Sequence, residues 1–220
     1  MKLSPAQEQL LEQLGSNVEL GLSADEVSKR READGTFNVV EPPINCPSWI
    51  CCLLPCIKHV PSMKAFRLVK PEDAEVLRSG KWTRYDASSL VKGDIIRMEA
   101  GDIVPADCVV LSVDSEGDFL VDVKCVAGED KPRVASAVPA TGTVQPIQLF
   151  MGGQVVQGSG MAVVTAIGPK TLLASLIREQ RFPPKDNAMA PSDIMHATVG
   201  MNMGGSDEEV GISLLGRETV

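Results

Sequence analysis

Residues 90–134 read LVKGDIIRMEAGDIVPADCVVLSVDSEGDFLVDVKCVAGEDKPRV and predict short β-strands joined by tight turns. One strand is expected to start at Ile95 and another to cover 108–113, because both stretches are rich in β-forming residues. Pro105 is expected to interrupt pairing between them, since proline has no backbone N–H to donate. Two pairs have the composition of turns, Gly93-Asp94 and Gly101-Asp102.

The rest of this stretch predicts a further strand and a loop. Apolar and polar residues alternate from Phe119 to Lys124, so one face of the strand is more apolar than the other. The strand is expected to lead into the loop 127–130, with the sequence Ala-Gly-Glu-Asp. Gly128 permits a turn there and places Glu129 at the tip of the loop.

The first half of the stretch resembles the start of the actuator domain of P-type (E1-E2) cation-transporting ATPases. That family has a strand, a Pro-Gly-Asp turn, a Gly-Asp turn and a Pro-Ala-Asp triplet. The matching residues here are Gly93-Asp94, Gly101-Asp102 and Pro105-Ala106-Asp107. Lys92 stands where the family has its first proline.

The second half resembles the family's Thr-Gly-Glu-Ser loop, which a proline follows. Residues 127–130 are Ala-Gly-Glu-Asp, and Pro132 comes after them. The glycine and the glutamate match, whereas the threonine and the serine do not. Residues 151–177 are similar to the closing hairpin and exit helix of the domain, and residues 21–40 resemble the N-terminal helical element of the same ATPases.

This resemblance implies a distorted jelly roll of short strands, so the expected fold class is mainly β within an α+β chain. N-terminal helices, one C-terminal helix and a flexible tail are expected around it. The expected organisation is a helical segment at 1–41, a Cys/Pro-rich loop at 42–65, the actuator-like β domain at 66–182 and an acidic, Met- and Gly-rich tail at 183–220.

Local signals predict the other elements. Ser4 and Ser23 each have the sequence of a helix N-cap with a capping box, and Gly15 and Gly35 are expected to end the two helices. The remaining expected elements are a hairpin at 76–86, a hairpin at 155–166, a short strand at 147–150 and a helix at 169–178.

Composition and charge narrow the function classes. The 220 residues carry a net charge of −8, which argues against nucleic-acid binding because phosphate backbones attract excess Lys and Arg. The N-terminal residues predict no signal or transit peptide. No run offers the ~18 consecutive apolar residues of a membrane helix. We therefore expect a protein of the cytoplasmic side or of a soluble compartment, with at most a peripheral membrane contact.

The most unusual composition lies at 46–59, where the related transporters have membrane helices. One interpretation is a compact loop in which cysteines act as small apolar side chains. A second is shallow membrane insertion, with acylated cysteines and with contacts from Trp49, Ile50, Leu53, Leu54 and Ile57. The third is a metal site, without the usual Cys-x2-Cys spacing, formed by Cys46, Cys51, Cys52, Cys56 and His59.

Glu129, preceded by Gly128, is the residue for which the resemblance implies chemistry. In the ATPases the matching glutamate positions the water that hydrolyses an aspartyl phosphate, a task that suits a carboxylate base. The phosphorylated segment and the nucleotide site of the family belong to other domains, and this sequence has no match to them. Asp130 adds a negative charge where an anionic phosphate would approach. We therefore expect a vestigial Glu129, no catalytic residue, no cofactor and no metal.

These observations favour a stand-alone, non-catalytic relative of the actuator domain that serves as a binding, regulatory or accessory subunit of a membrane-associated assembly. Two alternatives stay open. In the first, the chain is an actuator that works in trans on a separate P-type cation ATPase, with Glu129 assisting aspartyl-phosphate hydrolysis. In the second, it is a purely structural subunit of a large complex. All three hypotheses imply protein partners.

Overall fold

The computed structural model describes residues 3–45, 59–114, 118–135 and 147–184. The helices are α1 (Pro5–Leu14), α2 (Ala24–Asp34), α3 (Pro61–Val69), the single turn α4 (Lys124–Ala127) and α5 (Leu172–Arg178). The strands are β1 (Asp73–Arg78), β2 (Lys81–Asp86), β3 (Ile95–Glu99), β4 (Asp107–Val113), β5 (Phe119–Asp122), β6 (Arg133–Ala135), β7 (Gln148–Leu149), β8 (Gln154–Gln157) and β9 (Ser159–Ala166).

The strands form two antiparallel sheets. The larger has the order β2-β1-β3-β9-β4-β7, and the smaller has the order β6-β5-β8. Strand β9 lies between β3 and β4, so it pairs with two strands that are distant from it in sequence. The prediction of a mainly β fold with N-terminal helices and a C-terminal helix is confirmed.

The inner strands of the larger sheet are buried on both faces, whereas its edge strand β2 is largely exposed. Ile96 of β3 packs in the main core together with Phe119 and Val121 of the smaller sheet. Its neighbour Ile95 points the other way and packs in a second cluster with Leu11 of α1. Side chains alternate across a strand, so adjacent isoleucines serve opposite layers. The molecule therefore has three layers in the order helix, large sheet and small sheet.

The N-terminal helices begin and end where the sequence predicts. The Ser4 and Ser23 side chains both form capping boxes, and Gly15 and Gly35 end the helices in the left-handed conformation. On α1, the Gln7 side chain is buried, and its amide nitrogen donates to two β4 carbonyl oxygens, 2.8 Å from that of Val110 and 3.2 Å from that of Leu111. A polar side chain thus fixes the helix on the apolar sheet.

Asn38 connects the segment after α2 to the β core. Its buried amide nitrogen lies 2.9 Å from the Ala87 carbonyl oxygen and 2.8 Å from that of Pro105, and its amide oxygen accepts from the Gly168 N–H at 2.9 Å. Gly168 has a φ of +49°, and an added Cβ would lie 2.4 Å from the Phe37 carbonyl oxygen. Only glycine allows this close approach of the two segments.

Three local predictions differ from the structure. The strand predicted from Phe119 to Lys124 ends at Asp122, because the Asp122 carboxylate accepts from the Lys124 N–H at 2.8 Å and starts the turn α4. The predicted hairpin at 155–166 is wrong: β8 pairs with β5, whereas β9 pairs with β3 and β4. The helix predicted at 169–178 starts only at Leu172, after a 3-10 turn, and Thr171 caps it.

Helix α3 was not predicted, and it begins inside the segment expected to be a loop at 42–65. Its buried side chains, Phe66 and Val69, lie on one side and pack in the main core. Gly152 makes room for it, since an added Cβ there would lie 2.7 Å from the Val69 Cβ. None of the helices in the described ranges has the length and apolar character needed to cross a bilayer.

Two glutamines on α1 provide a matched test of this packing. Replacing the buried Gln7 by alanine leaves two buried β4 carbonyl groups without that donor, so Gln7→Ala should lower the free energy of unfolding by about 2 kcal/mol. Gln9 is exposed on the same helix, and Gln9→Ala should change it by less than about 0.5 kcal/mol. Urea denaturation measures both, and equal effects would contradict this role of Gln7.

Candidate functional site: the Glu129 loop

Three aspartates upstream of the Glu129 loop carry the family resemblance. The first of them, Asp94, stabilises a turn. Asp94 is fully buried, and Arg78 pairs with it through two contacts, Nε to Oδ1 at 3.0 Å and Nη2 to Oδ2 at 2.6 Å. The Val91 N–H donates to Asp94 Oδ2 at 2.8 Å. A buried carboxylate needs such partners because its charge has been taken out of water. Asp94 is therefore a structural residue.

The next turn joins the two sheets. The Asp102 carboxylate accepts from the Glu99 N–H at 2.8 Å and closes the turn. The Gly101 N–H donates to the Val155 carbonyl oxygen at 2.8 Å, and the Val155 N–H donates to the Asp102 carbonyl oxygen at 2.9 Å. This turn of the larger sheet is thereby held against β8 of the smaller sheet.

Asp107 is buried at the start of β4 and binds two distant segments. Its Oδ1 accepts from the Met151 N–H at 2.8 Å, and its Oδ2 accepts from the Leu172 N–H, the first residue of α5, at 2.7 Å. Burial raises its pKa to about 7, although both hydrogen bonds act in the opposite direction. The third matching aspartate thus positions the closing helix.

The Glu129 loop follows the single turn α4. Gly128 ends this turn with a φ of +70°, and its N–H donates to the Lys124 carbonyl oxygen at 3.0 Å. Val126 and Ala127 are fully buried in the main core. The residue that replaces the family's threonine is therefore a core methyl group. Gly128 is buried as well, and the chain reaches the surface at Glu129 and Asp130.

Arg133 occupies both oxygens of the Glu129 carboxylate. The Nε atom of Arg133 lies 3.0 Å from Glu129 Oε2, and its Nη2 atom lies 2.7 Å from Oε1. The two side chains are 20% and 28% exposed, respectively. Parallel contacts between a guanidinium and a carboxylate are among the stronger and more directional ion pairs. Glu129 is therefore held against the protein surface.

Arg133 is itself fixed by the core. Its Nη1 atom donates to the Gln148 carbonyl oxygen, and its guanidinium lies over the Phe150 ring, 4.7 Å from the ring centroid. Phe150 is buried. Because three groups orient one guanidinium, the Glu129 pair is more restrained than a pair between two solvent-exposed side chains.

Asp130, which replaces the family's serine, also has a cation beside it. Lys124 Nζ lies 3.0 Å from Asp130 Oδ1, and the two side chains are 50% and 54% exposed. The sequence predicts two adjacent negative charges at this loop, on Glu129 and Asp130. The structure instead gives each carboxylate its own cation, so an approaching phosphate would meet two ion pairs rather than two bare charges.

Of the other residues that the sequence singled out, few are described. Cys46, Cys51, Cys52 and Cys56, the apolar contacts at 49–57 and the tail from residue 185 lie outside the described residues. His59 is described, and the described part of the chain contains no group of three or more potential metal ligands. Burial raises the pKa of the Cys108 thiol well above its usual range.

A cleft of about 420 Å³ lies between α1, β4 and α5. Apolar side chains such as Leu10, Val109 and Leu172 line it together with Asp107. Neither Glu129 nor Arg133 belongs to its lining. Gln148 and Phe150, which both contact Arg133, do belong to its lining, so the cleft borders the residues that hold the loop.

Comparison with known proteins places this architecture in a family. The model of the P-type ATPase actuator domain matches residues 68–181, which is more than half of the chain. The chain thus belongs to the P-type (E1-E2) ATPase family, and these residues are its actuator domain. The resemblance of the sequence to the actuator domain is thereby confirmed.

Individual relatives agree with the family model. An endoplasmic reticulum calcium ATPase, srcA, of Aspergillus fumigatus is 34% identical over 120 residues, which cover 52% of this chain and 12% of the relative. A calcium-transporting ATPase of Schizosaccharomyces pombe is 33% identical over 114 residues, 50% of this chain and 12% of the relative. A probable cation-transporting P-type ATPase of Mycoplasma genitalium is 33% identical over 124 residues, 53% of this chain and 13% of the relative.

Among solved structures, a zinc-transporting ATPase matches 63% of this chain and 21% of its own chain, with 21% identity and a TM-score of 0.43. The aligned region spans 12–13% of the length of the curated relatives named above. The family model thus identifies the domain, and the activity of those longer proteins is not transferred to this chain.

The two ion pairs of the loop allow a direct comparison of their strengths. A double-mutant cycle with Glu129→Gln and Arg133→Gln should give a coupling free energy of about 1 kcal/mol, because the pair is partly buried and oriented by Phe150. The same cycle for Lys124→Gln and Asp130→Asn should give about 0–0.5 kcal/mol, since that pair is exposed. Coupling of the second pair equal to the first would contradict a restrained Glu129.

The raised pKa of Asp107 predicts how the stability of the folded protein should depend on pH. Its folded-state pKa of about 7 exceeds the usual 3.8, so the folded protein binds this proton more tightly than the unfolded chain. The contribution to stability is therefore present below about pH 4 and is lost as the pH rises through about 7. Asp107→Asn, which cannot ionise, should gain stability relative to wild type between about pH 5 and about pH 8 in urea denaturation. The opposite trend would mean that the two N–H donors outweigh burial.

Proposed function

We propose that this actuator domain serves as a non-catalytic binding or regulatory module of a membrane-associated assembly. The observation that supports this proposal is the ion pair between Glu129 and Arg133. The Glu129 carboxylate oxygens both accept from Arg133, so the carboxylate is held in one orientation by a neighbouring cation. A general base must reach the proton that it removes, and turning the Glu129 carboxylate toward a partner would require the contact with Arg133 to break.

The replaced neighbours support the same proposal. Ala127 is buried and offers no hydroxyl group, and Asp130 binds Lys124 at the loop surface. The three family-type aspartates all stabilise turns or the closing helix. The residues that make this domain recognisable thus maintain its shape, and a well-ordered β body is suited to presenting a binding surface.

A second candidate function is that of an actuator acting in trans on a P-type cation ATPase, with Glu129 still in use. The favouring observation is that Glu129 keeps its family position directly after the left-handed Gly128, with 28% of its side chain exposed. Contact with a partner's anionic phosphate could then draw Arg133 away and free the carboxylate.

Hydrolysis assays on the pure full-length chain test the first proposal. ATP and acetyl phosphate, a small acyl phosphate, serve as probes, and release of inorganic phosphate is measured. We expect rates equal to those of buffer, for wild type and for Glu129→Gln alike. Turnover by wild type that disappears in Glu129→Gln would overturn the non-catalytic proposal.

Dephosphorylation of a partner separates the two candidates. The chain is added to the phosphorylated form of a P-type cation ATPase, and the decay of the phosphoenzyme is followed. The non-catalytic proposal predicts binding with the same decay rate for wild type, Glu129→Gln and Arg133→Gln. Faster decay that requires Glu129, and that rises further in Arg133→Gln, would instead establish action in trans.

A further inference from the structure

Helix α3 presents a basic face for which the described chain has no partner. Residues 59–71 include Lys64, Arg67 and Lys70 but no acidic residue, in a protein of net charge −8. Each of the three side chains is exposed, and the described residues offer none of them an ion pair. Hydrogen bonds from Ser88 lower the pKa of Asp86 most, and Lys70 adds a smaller attraction.

The exposed residues lie side by side. At 100° per residue, Pro61, Lys64, Arg67 and Leu68 fall within one arc of about 120° on the helix. Leu68 is 73% exposed, more than any other large hydrophobic side chain in the described ranges. On the outer side of the helix, Leu68 therefore lies next to Lys64 and in the same arc as Arg67. Lys70 follows the end of the helix.

The inner side keeps the helix in place. Phe66 and Val69 are buried in the main core, and the Val69 side chain packs closely over Gly152. The outer arc is therefore presented by a fixed element. The exposure of Leu68 is not a consequence of a detached helix.

We propose that this face of α3 docks on an anionic lipid bilayer. Cations attract the anionic headgroups, and an exposed leucine between them can enter the interface, as in other surface-lying amphipathic helices. The acidic remainder of the chain is repelled by the same surface, so attraction confined to α3 would also orient the molecule. This inference goes beyond the proposed function and does not depend on the state of Glu129.

Vesicle flotation with the full-length chain tests the proposal. Vesicles of phosphatidylcholine are compared with vesicles that contain about 30% phosphatidylserine. Wild type should bind the anionic vesicles only, and added salt should weaken the binding because it screens exposed charges. Neutralising each cation should cost about fivefold in partitioning, so Lys64→Gln/Arg67→Gln/Lys70→Gln should bind on the order of one hundredfold more weakly.

Two further variants make the test specific. Leu68→Ser should bind about tenfold more weakly, since it removes the inserted apolar side chain. Lys29→Gln/Lys81→Gln/Lys131→Gln removes the same charge from other exposed positions and should bind more tightly than the α3 variant. Unfolding midpoints close to that of wild type show that the variants are folded.

Several outcomes would overturn the proposal. These are equal binding to both vesicle types, no binding to either, or equal losses in the two triple variants. Binding that persists in the α3 variant would place the contact elsewhere in the chain. A polyglutamate peptide is added as a probe of the protein alternative: α3-dependent binding to the peptide, without binding to vesicles, would mean that the face recognises an acidic protein and not lipid.

Discussion

Burial of the Asp107 carboxylate is the constraint on which the closed form of this domain depends. The carboxylate lies where β4, the segment before β8 and the first turn of α5 meet, and each of its oxygens accepts from a different segment. An apolar residue could fill that space but could not satisfy the Met151 and Leu172 N–H groups. The energetic cost of burying this carboxylate appears in its raised pKa. The motif that identifies the family is thus a device for joining segments distant in sequence.

The same need for compensation explains the Glu129 loop. Ala127 packs in the core and Gly128 is buried too, and the two carboxylates that follow lie at the surface. Arg133 and Lys124 each pair with one of them. The Arg133 guanidinium also contacts the Gln148 carbonyl oxygen and the Phe150 ring, so the loop is connected to the core through one side chain. This restraint of the loop is the basis of the proposed non-catalytic role.

The proposed bilayer-docking surface rests on the charge distribution. A chain with a net charge of −8 presents Lys64, Arg67 and Leu68 on the outer side of a short, core-anchored helix, and Lys70 directly follows that helix. That helix packs over Gly152, two residues before β8 begins. The Gly152 position is also close to Val126 of α4, so the basic helix and the turn before Glu129 rest on the same part of the core.

Local signals in the sequence predict the capped helices, the hairpin at 76–86 and the strands after the Gly-Asp turns. They also indicate the family. Each of these depends on residues close together in sequence, such as a capping serine and its third neighbour. The partners of β8 and β9, the start of α3 and the ion pair of Glu129 depend on long-range packing. Glu129 and Arg133 are four residues apart, but Pro132 and the absence of a helix make that spacing uninformative by itself. Their contact forms because Gln148 of β7 and the buried Phe150 hold the guanidinium in place, and no local pattern encodes that approach.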